Sequence, residues 1–161
     1  MPRIVFWCGA SPDEWAPPRL TEGGIGGSET AIIWIAKLFH EAGWRVDVYN
    51  HAGRYEGEHD GVGYWEPERL GTDEECTVLV VWRDPCGHRL PIRSGLRLLW
   101  LHDHDYGPGV LGDIRNAAWD RVLGVSAYHA EHLRRAYDLE AARVSFVPNG
   151  IDLSRFPADV R

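Results

Sequence analysis

Short, continuous apolar runs separated by polar, glycine-rich stretches set the pattern of the chain. Ile4 to Cys8, Thr77 to Trp82 and Leu96 to Leu101 each read as a buried strand, apolar on both faces. Trp44 to Asn50 alternates apolar and polar positions and predicts a second strand after the first. Arg121 to Val125 and Arg143 to Val147 complete the set, with a short strand near Val62 to Trp65. The clearest helix runs from Ser28 to Ala42, where Ile32, Ile35, Ala36 and Phe39 form one stripe and Gly43 supplies the stop. A short helix is expected near Asp113 to Ala118. Another is expected over Ala127 to Tyr137, with Ser126 as its N-cap. Gly9 to Gly27, His51 to Cys76 and Arg83 to Gly95 lack either period and read mainly as loops.

Strands without alternation, interleaved with helices, predict an α/β fold: a Rossmann-like parallel sheet with helices on both faces. Ligands of such sheets bind beyond the carboxyl ends of the strands. The residues to weigh are therefore those of Gly9 to Gly27, Asn50, Arg83 to Gly87, His102 to Asp105, and Ser126.

Composition narrows the class. The chain has 161 residues, 44% hydrophobic and 25% charged, the profile of one ordinary globular domain. Its net charge of −7 argues against non-specific nucleic-acid binding. No apolar run approaches the roughly 20 residues of a membrane span, and the start of the chain does not read as a signal peptide. Three cysteines (Cys8, Cys76 and Cys86) make no disulfide framework and suggest a reducing, cytoplasmic setting. The basic residues are almost all arginine, with Lys37 the only lysine.

The strongest local motif is Gly23-Gly24-Ile25-Gly26-Gly27-Ser28-Glu29, running straight into the first helix. Glycines at a helix start clear side chains from its N–H groups, which suits a phosphate. The motif is not the dinucleotide fingerprint: Gly24 and Gly26 fit, but Glu29 stands at the third glycine position and the loop begins well after the strand. It is not a P-loop either, because no Gly-Lys pair occurs. Ser28 is either a cap or a ligand contact, and a Glu29 carboxylate is expected to turn away from a bound phosphate. His-Asp-His-Asp at 102–105, with Cys86 and His88, lacks the spacing of a zinc site, so no metal is expected.

The stretch GGIGGSETAIIWIAKLFHEAGWRVDVY resembles the opening of the retaining GT-B glycosyltransferases of family GT4. DRVLGVSAYHAEHLRRAYDLEAARVSFVPNGIDLSRF resembles the end of that family's N-terminal domain. The two motifs cover about half the chain and bracket nearly all of it; residues 51–96 carry no diagnostic match. The resemblance implies one half of a GT-B fold. Residues 1–148 would be the N-terminal, acceptor-side domain and 149–161 the start of the interdomain crossing, with the C-terminal donor domain absent. It implies transfer of a sugar from a nucleotide-sugar donor to a sugar, lipid or small-molecule acceptor, with no metal or other cofactor. The chain alone would then be inactive. The alternative is a stand-alone α/β ligand-binding or interaction module without catalysis.

Residue by residue, the resemblance implies a catalytic His102 contacting sugar hydroxyls, with His104 its rival. It implies donor-phosphate contacts at Gly24, Gly26 and Gly27. Candidates for acceptor binding are Trp15, Asp103, His104 and Ser126. Trp15 lies in a polar loop and is the expected sugar-stacking ring, whereas Trp7, Trp82 and Trp100 read as core. Arg83 is either an anion contact or a solvated charge. The mixed-charge helix at 127–137 gives little support for membrane contact.

Overall fold

A computed structural model describes residues 1–150. Eight strands form a single sheet: β1 (Arg3–Gly9), β2 (Arg45–Asn50), β3 (Gly57–His59), β4 (Val62–Trp65), β5 (Glu75–Trp82), β6 (Arg93–Trp100), β7 (Arg121–Gly124) and β8 (Val144–Phe146). Their spatial order is β3-β4-β2-β1-β5-β6-β7-β8, and every pairing except β3 with β4 is parallel. The helices are α1 (Arg19–Glu22), α2 (Gly27–Glu41), α3 (Leu111–Arg115) and α4 (Ala127–Ala136). The fold is α/β and Rossmann-like, as the apolar runs require.

Two cores lie on opposite faces of the sheet, because successive strand residues point to opposite sides. Ile4, Phe6, Val46, Val48, Val80, Trp82 and Trp100 pack with Ala31, Ile32, Ile33 and Ala36 of α2. Val5, Leu79, Val81, Leu99 and Val122 face the other way, toward Ile114 of α3 and Leu133 of α4. The helix stripe read from sequence is thus the buried face of α2, although Ile35 and Phe39 are only partly covered. Gly43, with φ +85°, ends that helix in a left-handed turn.

Two strands run beyond their apolar signal. β3 has no strand-forming composition and exists through its hairpin with β4. Asp60 and Gly61 form the two-residue turn, with φ +52° and +77°, the type I′ geometry that suits the right-handed twist. β6 begins at Arg93 rather than Leu96, and Arg93 and Ser94 pair with Glu75 and Cys76. The helix expected at 113–118 is instead a single turn over Leu111–Arg115, and the loop at Gly9–Gly27 contains the short α1. Beyond Gly150, the expected interdomain crossing lies outside the described residues. Among those residues, no helix is long and apolar enough to cross a membrane.

The close approach of α4 to the sheet depends on Gly124. A Cβ there would stand 2.9 Å from the Ala130 nitrogen and 3.2 Å from the His129 carbonyl carbon, both backbone. Gly124→Ala is expected to cost about 1–3 kcal/mol through forced backbone movement. Gly27→Ala, whose Cβ would meet open space at the helix start, is expected to be neutral or stabilising by up to about 1 kcal/mol. Urea unfolding of the two variants checks the contrast.

Candidate functional site

β1 is paired on one side with β2 and on the other with β5. The chain leaves β1 toward β2, builds that flank, and returns to β5. At such a reversal the loops diverge and open a crevice at the carboxyl ends of the strands. The crevice here has a volume of about 330 Å³. Its walls are Cys8 to Pro12, at the end of β1 and just beyond it, Trp82, Arg83 and Asp84 at the end of β5, Asp103 beyond β6, and Glu29 from the first turn of α2.

His102 follows β6 beside this crevice. Its ring lies 4.6 Å from Trp100 and 5.9 Å from Trp82, centroid to centroid. Burial, reinforced by the positive charge of Arg83, pushes its pKa down to about 4, so the imidazole is neutral at physiological pH. Its Nε2 is buried without a hydrogen-bond partner in the protein.

The backbone at this strand end is clamped. The N–H groups of His102 and Asp103 both donate to the Tyr106 hydroxyl oxygen, each at 3.0 Å. The Tyr106 N–H donates to the Tyr137 hydroxyl at 3.0 Å. From α4, His129 Nδ1 accepts from the Val125 N–H at 3.2 Å, which leaves the proton on Nε2 to donate to the Asp103 carbonyl at 2.9 Å. Burial holds the His129 pKa below the usual imidazole value and favours this neutral form.

Arg83 adopts the left-handed region, φ +58°, where a non-glycine residue is strained. That backbone lays its guanidinium 5.0 Å from the Trp82 ring centroid and against Asp103, with Nε to Oδ2 at 2.8 Å and Nη2 to Oδ1 at 3.2 Å. Asp84 is committed on both oxygens, accepting from the Trp7 indole at 3.3 Å and from the Cys86 N–H at 3.0 Å.

Several sequence expectations change here. Trp15 is 1% exposed and packs edgewise on Tyr64 and Trp82, at 6.5 and 6.1 Å. Its loop folds back over the sheet, tied by the Trp15 N–H donating to the His51 carbonyl at 3.0 Å and by Asn50 donating to the Trp15 carbonyl at 2.6 Å. A ring enclosed this way is core and offers no face for sugar stacking. Ser28 is not the cap of α2; Gly26 holds the N-cap position, and the Ser28 hydroxyl donates to Glu29 Oε2 at 2.9 Å. Glu29 does not turn away either. Its carboxylate fills the space where a side chain on Gly26 would stand, at the positive end of the helix. Gly24 and Gly27 are open to solvent space, but the space beside Gly26 is taken by the protein's own anion.

The other candidates are scattered. Ser126 caps α4, its oxygen accepting from the His129 N–H at 3.1 Å. His104 is exposed and stacks on His132 with centroids 3.5 Å apart, in a separate hollow with Asp105, Leu111 and Tyr137. Cys86 and His88 approach Asp113 rather than the 102–105 segment. Among the described residues, no three histidine, cysteine or carboxylate side chains gather as metal ligands. Sequence reasoning missed Glu29 as a wall of the crevice, while Asp84 lies in the weighed segment Arg83 to Gly87 and had been given no role of its own. No family model and no curated protein matches the chain.

The depressed His102 pKa has a consequence for stability. Between about pH 6.5 and 4 the unfolded chain binds a proton at this residue that the folded chain refuses. The stabilisation tied to neutral His102 is therefore complete above about pH 6.5 and is lost as the pH falls toward 4. His129 adds to the loss in the same direction. Denaturation midpoints measured across this range should fall with acidification, and less steeply in a His102→Gln variant.

Proposed function

We propose that the chain is the acceptor-side Rossmann-like domain of a retaining glycosyltransferase resembling family GT4, which moves a sugar from a nucleotide-sugar to an acceptor. The observation that carries this reading is the neutral His102, its enclosed Nε2 without a protein partner, set behind Trp82 and Asp103 of the crevice wall at the point where the strand order reverses. A neutral imidazole either donates a hydrogen bond to a sugar hydroxyl or accepts one. In this role His102 orients the sugar at the reacting centre, and the Tyr106 hydroxyl fixes the backbone that presents it.

The donor's diphosphate needs positive charge. The crevice offers one guanidinium, already paired with Asp103, beside the carboxylates of Glu29 and Asp84. Transfer therefore calls for cations from a second donor-binding domain, the arrangement the GT4 resemblance implies. The chain alone should bind sugars weakly and transfer none. The rival reading, a binding module without catalysis, draws support from Glu29, which leaves no vacant anion site beside Gly26.

Saturation-transfer NMR on the 161-residue chain tests the reading, with monosaccharides, nucleotide-sugars and free nucleoside diphosphates as probes. Signals from sugar protons are expected, with no gain in affinity from the diphosphate. His102→Ala should weaken sugar binding about tenfold, the loss of one good buried hydrogen bond. Binding dominated by the nucleoside diphosphate and indifferent to His102→Ala would overturn the assignment.

A further inference from the structure

We propose that an apolar groove between α2 and the carboxyl end of β6 is the docking site of residues 151–156 of this same chain, with the Phe156 ring seated in it. The docked segment buttresses the Trp100 ring against which His102 lies.

The sheet is covered unevenly. On one face α2 packs over β1 and β2, whereas α3 and α4 both pack on the other face. Among the described residues, the α2 side of β6 and β7 is thereby left without a helix of its own. Leu98 and Leu123 on this side are partly covered. Leu96, on the same face by alternation, is 47% exposed. On the neighbouring flank of α2, Leu38 is 61% exposed, and Trp34 and Ile35 are half-buried. Parallel sheets are built with both faces covered, so this apolar flank calls for an occupant.

The groove on this flank has a volume of about 180 Å³ and runs between Trp34, Ile35 and Leu38 of α2, Trp100, and Val147 to Gly150. None of its lining side chains is charged. An apolar space of roughly 150 Å³ already admits a benzene ring, so a phenyl side chain fits here.

The place where the described chain ends points to the occupant. Gly150 is the last described residue and is itself part of the groove wall. Residue 151 therefore starts at the groove. Residues 151–156 read Ile-Asp-Leu-Ser-Arg-Phe, with three large apolar side chains in six positions. Six residues reach at most about 20 Å, which spans the groove with length to spare. A short tether also holds its segment at millimolar effective concentration, which a second copy of the chain at micromolar concentration does not match.

Trp100 joins the groove to the candidate site. It lines the groove, and its ring centroid lies 4.6 Å from that of His102. Close packing on the groove side of the indole holds the ring against the imidazole.

NMR of the 161-residue chain, with labelled Phe rings and Ile and Leu methyls, tests the proposal. Nuclear Overhauser contacts are expected from the Phe156 ring to the methyls of Ile35 or Leu38, identified by their loss in Phe156→Ala. The same variant should lower the urea midpoint, Phe156→Leu should restore most of the loss, and the His102 ring signals should shift in Phe156→Ala. Absence of contacts from Phe156 to these methyls overturns the docking. Contacts that appear only between differently labelled copies in a mixed sample overturn it in favour of a second copy. His102 signals that do not move in Phe156→Ala overturn the buttressing. The acceptor-domain reading stands or falls separately, on sugar binding.

Discussion

The crevice exists because β1 has parallel neighbours on both sides and the chain reaches them by connections that depart in opposite directions. Parallel pairing forces each strand to end at the same edge of the sheet, so the loops after β1, β5 and β6 emerge together. The reversal then stops the loops from closing over one another. Burial supplies the rest of the constraint. Val5, Leu79 and Leu99 are fully covered on one face, and Phe6, Trp82 and Trp100 nearly so on the other. A slip of one residue would exchange the two sets and send His102 to the face opposite α2. The register of β6 against β5, with Trp82 opposite Trp100, is therefore also what places the imidazole.

Much of this was legible in the chain because buried parallel strands announce themselves as unbroken apolar runs. β1, β2 and β5 were recovered with small errors at their ends, and β4 at both of its ends. Ser126 was readable as a cap because its physics is local: a short oxygen side chain three residues before a free N–H. What was not legible depends on partners far along the chain. Trp15 looked like an exposed ring in a polar loop, and only the grip of Asn50, 35 positions away, shows it to be core. The start of β6 at Arg93 has no apolar signature; it is a strand because β5 lies beside it. The β3–β4 hairpin is a different kind of omission. Asp60-Gly61 carries a local turn signal, but Gly57 and Glu58 gave no hint of a strand to attach it to.

The candidate site divides along the same line. That the ends of β1, β5 and β6 would supply its residues followed from fold class alone. The sign of its charge did not. A glycine-led helix start reads as an anion site when only the backbone is considered. The same dipole attracts any nearby carboxylate, and the nearest belongs to Glu29, three positions on from the N-cap residue Gly26. A tethered carboxylate at such short range competes with a free phosphate for the same field, with its loop-closure cost already met by the helix.

That substitution propagates. With Glu29 seated at the helix end, the crevice carries negative charge, and Arg83 is the cation available inside it. Arg83 does not serve as a free anion receptor, because its strained backbone and Asp103 together fix the guanidinium over Trp82. Fixed there, it acts on His102. A permanent positive charge beside a buried imidazole opposes protonation and adds to the effect of burial itself. The Arg83–Asp103 pair is half-exposed and would contribute little to stability as a pair. Its consequence is chemical: burial and the Arg83 charge, held in place by Asp103, together keep His102 neutral, so an imidazole able to donate or accept persists beside a negatively charged crevice. A negative crevice would by itself have promoted the protonated form, which can only donate. The strained arginine and the histidine therefore form one electrostatic unit, held in place by Asp103.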